Sequence, residues 1–192
     1  MKRNAICGLV IIAALVLAFN PNPTLASSPP QKGAVLPEFS LPIPRDPAHR
    51  AYLGLTGEGE FTIPQIKAEA VIIEIYSMYC PHCQREAPRV NELYEAIEQS
   101  SKYKGKLKVV GIGVGNSSFE IGVFAKKYKI PFPLFPDADY SIHQRLGEVR
   151  TPYFIGVKIK KDGTHEVFYS KLGGFRKADD FLQLMVKSSG LK

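Results

Sequence analysis

The sequence predicts an α/β domain built on one central mixed sheet flanked by helices. Two nearly continuous apolar runs, Val71 to Tyr76 and Leu107 to Val114, read as strands covered on both faces. Each is followed by a stretch of helical periodicity, the alternation that builds such a sheet. The third observation is Lys161-Asp162-Gly163-Thr164 between two apolar segments, where Asp-Gly signals a hairpin. With 192 residues, 45% hydrophobic and 22% charged, the chain suits one globular domain with a sizeable core. No internal repeat is present.

In order, Phe39 to Ile43 alternates as a short edge strand whose prolines limit pairing. Residues 44–60 carry Pro47, Gly54, Gly57 and Gly59 and read as loop and turn, with at most a short strand or hairpin. Phe61 to Ile66 is another short segment with a turn. The first core strand, Val71 to Tyr76, leads to a helix from Pro81 to about Gln99, with Ala87, Val90, Leu93, Tyr94 and Ile97 on one stripe. Pro88 lies inside it, where the ring removes one intrahelical bond and predicts a kink. After Leu107 to Val114, Ser117 or Ser118 caps a helix to about Tyr128. The glycines between strand and helix do not complete a dinucleotide fingerprint. A short strand over Phe132 to Phe135 and a brief helix over Asp139 to Leu146, closed by Gly147, come next. Tyr153 to Lys160 and Glu166 to Ser170 form the hairpin, and Ala178 to about Lys187 the last helix.

Residues 1–26 read as a targeting segment. Lys2 and Arg3 precede an apolar run from Ile6 to Phe19, and small residues through Ala26 follow, as in a secretory signal. The run is shorter than the roughly 20 residues that span a bilayer. Cleavage is expected after Ala26, with an uncleaved membrane anchor as the alternative. Residues 27–36 are rich in Ser, Pro and Gly and read as a flexible linker, leaving 37–192 as the domain. The formal net charge of +7 fits a basic surface able to meet an anionic membrane or acidic partner. No aromatic–basic interleaving or motif points to nucleic acid.

Of three cysteines, Cys7 falls in the targeting segment, so an exported form keeps only Cys80 and Cys83. Oxidising compartments permit disulfide staples, yet none is available here, which reserves the sulfur for chemistry. Cys80-Pro81-His82-Cys83 sits where strand gives way to helix. At a helix N-terminus, unpaired N–H groups and the dipole favour a thiolate, the species that attacks disulfides. Pro81 suits the first helical position, and His82 is able to place a cation beside the sulfur. A structural disulfide over so short a loop constrains the unfolded chain little. A zinc or copper site needs further ligands, and His143 is the candidate third.

The pattern Cys80-Pro81-His82-Cys83-Gln84-Arg85-Glu86-Ala87-Pro88 resembles the Cys-x-x-Cys-x-x-Glu-x-Pro of the TlpA/ResA branch of thioredoxin-fold proteins, close to the AhpC/TSA superfamily. Three further features carry the resemblance across about residues 35–190. They are Val109 to Val114 with the extra β–α segment up to Phe135, Arg150-Thr151-Pro152-Tyr153-Phe154 as the cis-proline loop, and the Asp162-Gly163 hairpin followed by Gly173-Gly174. The resemblance implies a thioredoxin-like fold and a periplasmic thiol–disulfide oxidoreductase. Cys80 would be the exposed attacking thiol and Cys83 the buried resolving one. A cis bond at Thr151–Pro152 would lie opposite, with the Thr151 backbone pairing to an extended substrate. No cofactor is implied beyond the Cys80–Cys83 disulfide. A reductant of this kind implies a membrane electron donor of the CcdA/DsbD type and apocytochrome c thiols as one substrate class.

Glu74, six residues before Cys80, matches the buried acid that thioredoxins use for the resolving thiol's proton; a solvent-facing Glu is the alternative. Glu86 matches the branch's active-site acid, against a surface ion pair with Arg85 or Arg89. The Pro81-His82 dipeptide departs from the branch and resembles that of the oxidant DsbA, so scaffold and dipeptide point in opposite directions. Ser77, three before Cys80, echoes the Ser/Thr-x-x-Cys of peroxiredoxins, but their preceding proline would fall at Ile73.

Overall fold

The computed structural model describes residues 28–192, so the targeting segment expected at residues 1–26 lies outside the described residues. Five strands form the central sheet: β3 (Ala70–Tyr76), β4 (Leu107–Val114), β5 (Leu134–Asp137), β6 (Tyr153–Ile159) and β7 (His165–Leu172). Their spatial order is β5-β4-β3-β6-β7, with β3, β4 and β5 parallel and β6 and β7 antiparallel to their neighbours. A two-stranded ribbon, β1 (Leu41–Pro42) with β2 (Glu60–Phe61), stands apart from it.

The period of two along β3 divides the core. Val71, Ile73 and Ile75 face one side, where Leu36, Phe39, Leu41, Leu53, Phe61 and Ile63 cover the sheet together with Ile142 of α4 (Ser141–Arg145) and Leu146. Ile72 faces the other side, against α2 (Pro81–Gln99) through Val90, Leu93 and Ile97 and against α5 (Ala178–Ser189) through Phe181, Leu182 and Met185. The parallel strands β3, β4 and β5 are joined through α2 and α3 (Ser118–Tyr128), and Ile121 and Phe124 of α3 pack with Tyr76 and Ala87. The Tyr76 ring crosses β4 at Gly111, where a Cβ would meet it at 3.2 Å.

The expected elements fall within a few residues of their places, and α2 runs as one helix through Pro88. Three expectations are corrected. Residues 44–60 hold a helix, α1 (Pro47–Leu53), rather than only loop: Asp46 caps it by accepting the Ala48 N–H at 2.8 Å, and Gly54 closes it in the left-handed region. Its Leu53 is fully buried, and the Tyr52 hydroxyl accepts the Val109 N–H at 2.8 Å. The strand expected at Phe132 to Phe135 starts at Leu134, because Pro133 presents its carbonyl to Gly111 N–H (3.0 Å) while Phe132 turns into the core. Residues 28–36, expected as a flexible linker, lie against the domain. Gly33 N–H donates to Val167 O and Val167 N–H to Ala34 O, both at 2.8 Å, and Pro30 and Leu36 are buried. No helix among the described residues is long and apolar enough to cross a membrane.

Candidate active site

The site forms where β3 ends. Ser77 and Met78 leave the strand, and Cys80 N–H donates to Ser77 O (3.1 Å) to close a turn into α2. Cys80 is the N-cap of that helix, Pro81 its first residue, and Gln84 N–H donates back to Cys80 O (3.0 Å). The Cys80 sulfur is therefore aimed by two rigid elements and is half-buried, whereas Cys83, one turn in, is fully buried; both are free thiols.

Opposite the pair, the Thr151–Pro152 peptide bond is cis, as the resemblance implies. Thr151 O receives the Cys80 thiol at 3.4 Å. Cys80, Cys83, Thr151 and Pro152 are thus brought together. The Met78 peptide is held from both sides: its N–H donates to Asn116 Oδ1 and its carbonyl accepts from Gln84 Nε2, each at 2.8 Å. Sequence patterns gave no sign of Asn116 or Gln84, because neither belongs to a spaced motif.

The two thiols differ in acidity for physical reasons. For Cys80 the largest effect is burial, which raises its pKa, but hydrogen bonds from the Thr151 side chain, from the Cys83 backbone and side chain and from the His82 backbone outweigh it. The net shift is below the usual thiol range. Burial pushes Cys83 up to about 12; the Ser77 backbone and Thr151 oppose this and Glu74 adds to it. At neutral pH the pair therefore holds one reactive and one inert sulfur.

His82 does not place a cation on the sulfur as expected. Its Nδ1 accepts from the Arg85 guanidinium at 2.9 Å on the exposed side of α2, so its side chain is committed elsewhere. Only its backbone serves Cys80. Pro81, too, is exposed.

Both acids lie beneath the pair. Glu74 shares the α2-facing side of β3, paired in register with Gly111 and Phe154, and is 4% exposed. Burial, then the charge of Glu86, raises its carboxyl to about 8. The solvent-facing alternative is thereby excluded. Glu86 is also buried; Oε2 pairs with Arg89 at 3.2 Å and Oε1 accepts the Phe175 N–H at 2.8 Å. The ion pair with Arg89 exists, joining an exposed arginine to a buried carboxylate, and the carboxylate also ties α2 to the segment between β7 and α5. Gly174 lies so close that a Cβ there would overlap the Glu86 carboxylate.

His143, the third ligand of the metal alternative, spends Nε2 on Val149 O at 2.9 Å. Among the described residues, no group of three or more His, Cys, Asp or Glu is placed to hold a metal ion.

The comparisons agree with this architecture. The family described as AhpC/TSA matches residues 33–167. The chain is 26% identical over 164 residues to the thiol-disulfide oxidoreductase ResA of Bacillus thuringiensis subsp. konkukian, covering 85% of this chain and 86% of that one. It is 22% identical over 156 residues to ResA of Geobacillus kaustophilus, covering 81% and 75%. Among solved structures, StoA from Bacillus subtilis superposes with a TM-score of 0.51 at 22% identity, covering 66% of this chain and 88% of that one. A secreted Mycobacterium tuberculosis disulfide oxidoreductase homologous to E. coli DsbE gives 0.51 at 20%, covering 68% and 90%. With its sheet order, its cysteine pair at the head of α2 and a family match over most of its length, the chain has the thioredoxin fold and belongs to the AhpC/TSA family.

Proposed function

We propose that this protein is an exported thiol–disulfide oxidoreductase that reduces disulfides in other proteins. The observation that carries the reading is the asymmetry of the pair: a half-buried, acidified Cys80 at a helix N-terminus above a fully buried, basic Cys83. The Cys80 thiolate attacks a substrate disulfide, forms a mixed disulfide and expels one substrate thiolate. Cys83 then gives its proton to ionised Glu74 and attacks the Cys80 sulfur. The second substrate thiolate leaves and the Cys80–Cys83 disulfide forms. Two electrons pass to the substrate, and no cofactor besides the pair takes part. The Thr151 backbone beside the cis Pro152 is the proposed seat for the substrate chain.

Two things support reduction over oxidation. The two sequence relatives reported above are both named ResA, and His82 is turned to Arg85 rather than to the sulfur. A strong oxidant needs its thiolate form heavily stabilised. The spent disulfide requires a thiol donor, for which a membrane protein of the CcdA/DsbD type is the proposed source. Apocytochrome c is the proposed substrate class. Export rests on the pattern of residues 1–26, which ends as a cleaved signal or as an anchor.

Trapping tests the reading. Cys83→Ser is expected to leave Cys80 joined to partner proteins of the exported compartment, released by dithiothreitol. Trapping by Cys80→Ser instead, or by neither variant, would refute the assigned roles.

A further inference from the structure

Asn116 is fully buried, at the end of β4 just before α3. Its Oδ1 accepts the Met78 N–H at 2.8 Å, whereas its Nδ2 has no partner among the described residues. A buried amide that leaves one end idle is retained at a cost, so the single bond it makes must matter. Room is made for it: a Cβ on Gly113 would sit 3.2 Å from Asn116 Oδ1 and closer still to Ile121. The other end of Met78 is secured by Gln84 Nε2 on the first turn of α2. Met78 lies within the Ser77–Cys80 turn, two residues before the attacking sulfur.

We infer that Asn116 and Gln84 are positioning residues for Cys80: they clamp the Met78 peptide from β4 and from α2, and Asn116 does so as a neutral acceptor. The inference rests on the proposed role of Cys80 and deepens it. An aspartate would accept the same N–H, but its charge would oppose a thiolate forming on the same turn. A leucine would fill the space and leave the Met78 N–H unpaired. The titratable and charged groups around Cys80 and Cys83 include Glu74 and Tyr76 on β3, His82, Arg85 and Glu86 on α2, Tyr79 in the turn and Glu120 on α3. Asn116 adds none to that set.

The test is the pH dependence of Cys80 alkylation by iodoacetamide, followed by peptide mass spectrometry on the folded chain. Asn116→Asp is expected to raise the midpoint by about one unit, slowing the reaction about tenfold at pH 7. Asn116→Leu and Gln84→Leu are expected to slow it about threefold or more at pH 7. If Asn116→Asp does not fold, Gln84→Leu, at a half-buried position, tests the clamp alone. Midpoints and rates equal to wild type, with only the melting temperature lowered, would overturn the inference. The readout needs no substrate, so a wild-type protein that reduces no protein disulfide would defeat the proposed function without touching this result.

Discussion

The Cys80 sulfur lies 3.4 Å from Thr151 O, so the attacking atom and the backbone that would receive a substrate strand share one edge of the site. Cys83, three residues on, is sealed beneath it. The chemistry is thus ordered by depth: attack at the surface, resolution in the interior.

That order is measurable by modification. Cys80 is lowered from the usual thiol range while burial holds Cys83 at about 12, so their thiolate fractions at pH 7 differ by about a thousandfold or more. Iodoacetamide at pH 7 is expected to label Cys80 alone in the native protein and both residues in urea. Equal native labelling would contradict the depth order.

Glu74 predicts a stability that falls with pH. Its folded pKa, about 8, is raised by burial above the unfolded value near 4.5. The unfolded chain therefore releases this proton first. The contribution is fully present below about pH 4.5 and is lost as pH rises toward 8. Up to about 5 kcal/mol of such dependence is expected on those two values. Urea unfolding of Glu74→Gln is expected to show most of this slope gone. A slope identical to wild type would place the carboxyl in a solvated setting.

The same residue predicts a kinetic effect. Ionised Glu74 is the base for Cys83, so the resolving step is expected to quicken as pH rises toward 8. Glu74→Gln is expected to slow resolution at least about a hundredfold, leaving the first attack by Cys80 near wild type. Rapid mixing of a preformed mixed disulfide separates the two steps.

Glu86 and Gly174 are predicted to be energetically coupled. Gly174→Ala pushes a methyl into the Glu86 carboxylate, which is pinned by Phe175 N–H and Arg89. A loss of about 1–3 kcal/mol is expected from the overlap. In a Glu86→Ala background most of that loss is expected to vanish, because the obstructing atoms are gone. Additive losses in denaturant titrations would break the link.

Most of the frame was legible because local and long-range signals agree. The runs Val71 to Tyr76 and Leu107 to Val114 are β-branched and buried on both faces, and Pro81 to Gln99 carries both its start signal and its apolar stripe. The α1 helix escaped although Asp46-Pro47 and Gly54 supply its caps, because a single buried residue, Leu53, gives no stripe. Its Asp46 cap is expected to contribute about 1 kcal/mol. In the site, adjacency along the chain placed the cysteines, and the resemblance placed Thr151, Pro152 and both acids. The burial of Glu74 was legible only through the resemblance, since the strand's own pattern leaves open which side of β3 is covered by which helix. The turn of His82 toward Arg85 was likewise hidden, as a side chain's rotamer leaves no trace in motif spacing.

The reduction potential of the Cys80–Cys83 pair, read by equilibration with glutathione and alkylation of the free thiols, separates a reductant from a disulfide donor. A reducing value near that of thioredoxin, about −270 mV, is expected. A value near that of DsbA, about −120 mV, would mean that the protein donates disulfides, and would contradict the proposed reduction.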